Sequence, residues 1–394
     1  MSTDSPFFHS KIECPICKTL NEFETVRVGA YVEKGRDTDF CPENIEWRFP
    51  KYQSYNPLVF FIATCSNCFY SREYSAKFKE WKNDNNFKMY RLKSTKDKHL
   101  DQLATADSVI KRIGDAVNIS SYPNESAILK LHLSIFDEKL FDHFSKLDIG
   151  RFYLRIGWVF RSMDSSDVTP VTGIYSMLAD LDSKYSMMKG AVQQSVDSMM
   201  SFDEYIRSAF NSNDNTDAIN SKLHPFKDKF SELCNGISDN LNSANNTFED
   251  LDKLVQDCHE SAIGDEHPGQ TSQFLNYPSF GHFLSELKKD WNGIVTNEYE
   301  ALVNARNYYQ AAFNDGRAIA PGNQQIQATY LIAELSRRVG DFETAKDYFN
   351  STIKTGQDYI YRNRNDKTKT ALAKKILELA IEQGKSNMNA LKAN

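Results

Sequence analysis

The chain has 394 residues, 40% hydrophobic and 25% charged, enough for two or three domains with a sizeable core and the composition of an ordinary globular protein. A formal net charge of −6 excludes bulk attraction to nucleic acid or anionic lipid and leaves only local basic patches for such roles. The start, MSTDSPFFHSKIEC, has no basic stretch followed by a long apolar one. No apolar run approaches the ~18 residues of a membrane span. The expected location is cytoplasmic, with no membrane contact, where paired cysteines signify metal or redox chemistry before disulfides.

Residues 1–80 read as a small β module. Of the seven cysteines, four form two Cys-x-x-Cys pairs, Cys14 with Cys17 and Cys65 with Cys68. Each pair brings two sulfurs to one side of a tight turn, and two turns together make a tetrahedron of thiolates that closes around one structural Zn²⁺. A redox pair or an iron–sulfur cluster is the alternative. A thioredoxin-type pair opens a helix within a βαβ unit, whereas neither pair is followed by a helix start and Pro15 lies inside the first. A catalytic zinc is disfavoured because such sites keep an open position and use His or carboxylate ligands. Val26–Val32 and Leu58–Thr64 are expected strands. Cys41 is either a substitute ligand or, as preferred, a small buried residue. Asp37 and Asp39 are either a functional acid pair or, as preferred, turn caps.

In order, Cys14 to Phe23 (Cys-Pro-x-Cys with an aromatic six residues on), Arg36 to Pro42, Tyr55 to Leu58 and Cys65 to Tyr70 form a set of motifs that resembles a bacterial family known as a domain of unknown function. The resemblance spans roughly residues 12–80 and, more weakly, 125–161 and 295–356. It implies a zinc-ribbon-like start and a TPR-like helical remainder, and it implies no activity. The family usually has Gly after the second pair, where this chain has Phe69. Gly suits a left-handed turn, so Phe69 signals either strain or a different turn.

Residues 81–124 read as a basic linker and helix. Lys77 to His99 holds eight Lys or Arg against three acids. Lys77, Lys79, Lys82 and Lys88 are a candidate nucleic-acid patch, with Trp81, Phe87 and Tyr90 available to stack on bases. The preferred reading is a solvated linker whose aromatics pack on the β module.

Residues 125–167 begin a helical scaffold. Glu125 to Lys146 has helical apolar spacing and carries His132 and His143 as ordinary helix residues. Ile149 to Met163 is apolar on most sides and reads as buried. Residues 168–262 carry two stripes, one through Leu178, Tyr185, Val192, Met199 and Ile206, the other through Leu223, Phe230, Ile237, Ala244, Leu251 and Cys258, with Leu233 three positions into the second. They predict an inserted antiparallel helical hairpin that projects as a reach or dimerisation arm, the alternative being that both helices fold back onto the scaffold. Residues 263–394 resume the scaffold. Tyr330 to Ile353 follows a TPR-type helix pair, with Ala333, Gly340, Ala345 and Phe349 at the packing and turn positions, and Glu298 to Gly316 resembles a second TPR helix whose partner is Ile149 to Met163.

The expected fold is therefore mainly α: a small zinc-ribbon-like module, then a TPR-like scaffold with an inserted hairpin. No phosphate loop, His-Glu-x-x-His or Gly-x-Ser-x-Gly occurs. Cys258-His259-Glu260 is the one eye-catching triplet, but adjacent helix residues point about 100° apart. The expected function is a non-enzymatic scaffold that binds a protein partner. The alternative is a nucleic-acid factor using the ribbon and segment 77–98, and a metal-dependent enzyme is a third reading.

Overall fold

Strands β1 (Phe7–Glu13) and β2 (Leu20–Val26) pair antiparallel on either side of the first Cys-x-x-Cys turn, with Phe7 opposite Val26 and Glu13 opposite Leu20. A second hairpin joins β3 (Tyr31–Arg36) to β4 (Pro42–Trp47), and a third joins β5 (Ile62–Thr64) to β6 (Ser71–Glu73) around the second turn. The hairpins are separate two-stranded sheets. The computed structural model describes residues 5–165 except 54 and 106, scattered positions between 192 and 250, and 274–393.

Two expected strands are corrected. Val26–Val32 is not continuous: β2 ends at Val26, and a turn closed by Ala30 N–H donating to Arg27 carbonyl at 3.0 Å leads into β3. Gly29 supplies the left-handed step of that turn, at φ 77°. Leu58–Phe61 is not a strand either. Pro57 starts a tight helical turn over Pro57–Phe60, capped by Asn56 Oδ1 accepting from Leu58 N–H at 3.0 Å. The run is apolar because Val59 and Phe60 are buried in one core with Phe7 and Trp47.

From Tyr74 to Arg91 the chain winds through irregular wide helical turns into α1 (Leu92–Ala104). The aromatics of this segment pack on the β module as expected, with Phe78, Trp81 and Phe87 buried together with the cysteines. Helix α2 (Val109–Ala116) precedes α3 (Pro123–Lys139), which starts on Pro123 and is buried along most of its length. The expected helix from 125 to 146 breaks after Lys139, because Ser145 caps α4 (Lys146–Ser165) by accepting from Asp148 N–H at 3.2 Å. His143 therefore lies in a turn and not on a helix. His132 stays inside α3, fully buried, with Nδ1 donating to Ile128 carbonyl at 3.1 Å and Nε2 accepting from Val295 N–H at 3.1 Å. Burial holds it neutral, with its pKa down at about 3.

Helices α5 (Phe280–Asp290), α6 (Glu298–Asn314), α7 (Asn323–Arg338), α8 (Phe342–Arg362) and α9 (Lys367–Ala393) complete the bundle. Helices α4 and α6 pack on each other through glycines: a methyl group on Gly157 would lie 3.0 Å from Leu302 and one on Gly150 3.1 Å from Tyr309. Ala305, Tyr309 and Ala312 are buried on α6, as are Ala333 on α7 and Ala345 and Phe349 on α8. The protein is thus mainly helical, with small N-terminal β hairpins followed by a helical bundle. No described helix is long and apolar enough to cross a membrane.

The chain divides into two compact units, Met1–Ser166 with Ser272–Asn394, and Asp167–Thr271. The expected hairpin over 168–262 lies, apart from scattered helical positions, outside the described residues, and so do Cys258, His259 and Glu260. Leu233 and Ile237, assigned to the second stripe, are 61% and 44% exposed, which does not match a buried seam at those two positions.

Lys130, on the buried face of α3, donates from Nζ to Val59 carbonyl at 2.5 Å. Burial pulls its pKa down from 10.5 to about 7. The unfolded chain holds this proton between those two values and the folded chain does not, so the penalty is full below pH ~7 and fades as pH rises toward ~10.5. Lys130→Met is expected to stabilise the protein by about 2 kcal/mol at pH ~6, after allowing for the lost hydrogen bond. The gain should disappear by pH ~10 in urea titrations. A pH-independent loss of stability would contradict this account.

Candidate metal centre

The two Cys-x-x-Cys turns share one backbone pattern. Cys14 N–H donates to Thr19 carbonyl at 2.9 Å and Lys18 N–H to Cys14 carbonyl at 3.1 Å, while Cys65 N–H donates to Tyr70 carbonyl and Phe69 N–H to Cys65 carbonyl, both at 2.9 Å. The residue after each second cysteine is left-handed, Lys18 at φ 67° and Phe69 at φ 63°. Phe69 therefore makes the turn that Gly makes easily, at a cost of roughly 1–2 kcal/mol. Its ring is accommodated by Gly114 on α2, where a methyl group would lie 2.1 Å from Phe69 Cγ. Gly114→Ala is expected to destabilise the protein by about 1–3 kcal/mol through overpacking. Adding Phe69→Gly should recover most of that loss, and a double-mutant cycle with no coupling would refute the pairing.

All four sulfurs lie within 4.8 Å of one another, with Cys14 Sγ 3.7 Å from Cys68 Sγ and Cys17 Sγ 3.5 Å from Cys65 Sγ. Thiolates at ~2.3 Å from a tetrahedral zinc stand about 3.8 Å apart, so the cluster fits a zinc-binding site. Cys14, Cys65 and Cys68 are buried and Cys17 is half-buried. The thiols polarise one another. Cys65 is held well below the ordinary thiol range, first by hydrogen bonding to Cys14 and then to Cys68. The Cys14 thiol is pushed up to about 12 in return, mainly by its bond with Cys65. Burial opposes ionisation of Cys17, but hydrogen bonds from Thr19 and Asn67 outweigh it and lower its pKa.

Asn21 ties the turns together. Its amide nitrogen donates to Cys65 Sγ at 3.4 Å and Thr19 carbonyl at 2.9 Å, and its oxygen accepts from Ser66 N–H at 2.8 Å. On the other side, buried His99 from α1 bridges Cys68 carbonyl, 2.8 Å from Nε2, to Asp137 Oδ1, 2.6 Å from Nδ1. Asp137 on α3 also accepts from Ser71 N–H at 2.7 Å. Trp81 Nε1 donates to Glu13 carbonyl at 2.8 Å. The cluster is thus held by outer residues from β2, α1 and α3 that orient its backbone. Cysteine spacing alone did not point to Asn21, His99 or Asp137.

Cys41 lies elsewhere. It is buried at the tip of the β3–β4 hairpin, and burial pushes its thiol up to about 12. Around that tip an ion-pair network forms. Arg161 on α4 contacts Asp37 at 2.9 Å, Asp39 at 2.7 Å and Glu298 at 2.5 Å, and Arg338 on α7 contacts Asp37 at 2.6 Å and Glu334 at 2.8 Å. Thr38 carbonyl accepts from Tyr330 hydroxyl at 2.7 Å. Phe40, left-handed at φ 69°, sets its ring 5.5 Å from that of Tyr330. Asp37 and Asp39 do cap the turn, accepting from Thr38 and Cys41 N–H, but they also fasten the β module to the helices.

Lys77 pairs with Asp148 at 2.8 Å and Lys82 with Glu13 at 3.1 Å, while Lys79 and Lys88 are exposed. Of the aromatics proposed to stack on bases, Trp81 and Phe87 are buried and Tyr90 is exposed.

A family model described as "Uncharacterized protein conserved in bacteria (DUF2225)" matches residues 7–208 and 283–380, and the chain belongs to that family. The match contains the four clustered cysteines and every residue of the ion-pair network. No curated protein and no solved structure matches the chain.

Proposed function

We propose that this member of the bacterial family is a non-enzymatic protein-interaction scaffold. One structural zinc at Cys14, Cys17, Cys65 and Cys68 holds its zinc-ribbon-like module, and TPR-like helix pairs supply its binding surface. The observation that carries the reading is the joint between the two parts. The hairpin tip at Asp37–Cys41 is anchored to α4, α6 and α7 by Arg161, Glu298 and Arg338, which makes a fixed platform out of module and helices. An all-cysteine cluster packed among Ile16, Phe78 and Trp81 suits a structural ion, because four sulfur ligands leave no position for substrate. The pairing of α4 with α6 and of α7 with α8 through small residues is the packing that TPR arrays use to build concave surfaces.

The nucleic-acid reading is weaker, because Lys77 and Lys82 are paired with acids and two of the three aromatics are buried. Affinity capture with the intact protein, nuclease treatment and mass spectrometry tests the choice. A discrete protein partner retained at about 0.5 M salt is expected, since salt at that level screens exposed charges to a few ångströms. Recovery of nucleic acid alone, released by salt, would overturn the reading in favour of its alternative.

A further inference from the structure

The four clustered thiols are not equally sheltered. Cys14 and Cys65 are 0% exposed and Cys68 1%, enclosed with Ile16, Phe78 and Trp81, whereas Cys17 is only half-buried. Asn21, itself buried, covers Cys65 with its amide nitrogen 3.4 Å from Sγ. Cys17 is followed by exposed Lys18, and its sulfur has Thr19 Oγ1 at 3.3 Å and Cys65 Sγ at 3.5 Å beside it. We propose that Cys17 is an oxidation site: hydrogen peroxide attacks its sulfur, and Cys65 closes a disulfide with it that dismantles the metal site. The inference rests on the metal reading of the four cysteines and adds a reaction to it.

The reaction runs in two steps. In the first, the Cys17 thiolate attacks one peroxide oxygen and the O–O bond breaks. The sulfur keeps that oxygen with its hydrogen as a sulfenic acid, and the other oxygen leaves as hydroxide. In the second, the Cys65 thiolate attacks the Cys17 sulfur. The S–S bond forms, the S–O bond breaks and a second hydroxide leaves. Over both steps two electrons pass from the two thiolates to one peroxide, and solvent protonates both hydroxides to water.

The geometry selects both residues. Thiol oxidation follows exposure, and a sulfenic acid becomes a disulfide only where a second thiol stands beside it. Cys17 meets both conditions within its own site. Its 3.5 Å separation from Cys65 is shorter than the 3.7 Å between Cys14 and Cys68. A Cys17–Cys65 disulfide takes one ligand from each turn and leaves two thiolates where a closed tetrahedral site needs four. Phe78 and Trp81 pack on the cysteines, so the modification reads out as opening of the module. Cys41 meets neither condition: it is buried at the hairpin tip, away from the cluster.

The test treats the zinc-loaded full-length chain with hydrogen peroxide, in a Cys234→Ser/Cys258→Ser background that removes the two cysteines beyond the module. A chromogenic chelator follows zinc release, and peptide mass spectrometry with a sulfenic-acid trap maps the adducts. The first adduct should be on Cys17 and the first disulfide Cys17–Cys65, formed together with zinc release while Cys41 stays a thiol. A dithiol reductant with added zinc should restore the site. Cys17→His keeps a Cys₃His ligand set and should hold zinc while releasing it to peroxide about tenfold more slowly or less. If that variant binds no zinc, the adduct map of the unsubstituted site decides alone. A first adduct on Cys14, Cys65 or Cys68, any other first disulfide, or release from zinc-loaded Cys17→His at the unsubstituted rate would each overturn the assignment and leave the metal reading standing. A chain that takes up no zinc with its thiols intact would overturn both.

Discussion

Removing the metal, or replacing Cys65 by Ser, is expected to unfold the N-terminal module while most helical signal persists. Structural zinc in small domains supplies roughly 10–16 kcal/mol of apparent binding energy, comparable with or above the ~5–15 kcal/mol by which whole domains are stable. The module has little to replace it: its hairpins are two-stranded and separate, and isolated two-stranded hairpins are marginal in water. Phe78, Trp81 and Phe87 pack on the cysteines, so their burial should be lost with the ion. Elemental analysis should give one zinc per chain. Chelation should open protease sites between residues 66 and 104 and shift the Trp81 fluorescence to the red, and added zinc should reverse both. A metal-free protein with intact thiols and an unchanged digestion pattern would refute the site.

Arg161→Ala should cost about 3–5 kcal/mol, the range for stripping one partner from a buried ion pair. Asp39 is fully buried and meets Arg161 at both carboxylate oxygens, 3.0 and 2.7 Å away, while the same guanidinium holds Glu298 at 2.5 Å. Without it, buried Asp39 keeps, among the described residues, only the Arg338 charge, 4.0 Å away. Arg161→Lys should recover only part of the loss, because an ammonium cannot present parallel donors to two carboxylates at once. Chemical denaturation measures both variants, and a loss under ~1 kcal/mol for Arg161→Ala would place the network among weak surface pairs. The network also has a pH signature. Burial opposes the Asp37 charge, but Thr38 N–H, Arg338 and Arg161 together hold its pKa below the usual 3.8. Its contribution is present above the ordinary carboxylate range and is lost as pH falls through the lowered value.

The four-cysteine cluster was legible in the sequence because its geometry is local. Each Cys-x-x-Cys turn closes within five residues, and only the meeting of the two turns is a tertiary event. The ion-pair network was not legible. Asp37 and Asp39 look like turn caps because their capping bonds are local, while the arginines that claim them are 122 to 301 residues away. Periodicity carries no information at that range. Leu58–Phe61 was misread for a different reason: an apolar run looks the same in a buried strand and in a buried turn, and Asn56-Pro57 decided between them. Phe69 did signal something. The left-handed turn expected of Gly persists, and the missing space is supplied by a glycine 45 positions later, Gly114, which one sequence cannot link to it.

The anchored hairpin tip also sets a timetable. The four cysteines are all present once residue 68 is made, so metal can be captured while the chain is still short. Arg338, which grips Asp37 and Thr38, emerges about 300 residues after them, and at ~5–20 residues per second that is a delay of roughly 15–60 s. During that interval the tip has the Arg161 side of its socket, made 122 residues after Asp39, but not the Arg338 side. Joining the tip to Arg338 is a long-range closure of the kind that slows folding. A chain truncated before α7 keeps the Arg161 part of the socket and lacks the Arg338 part.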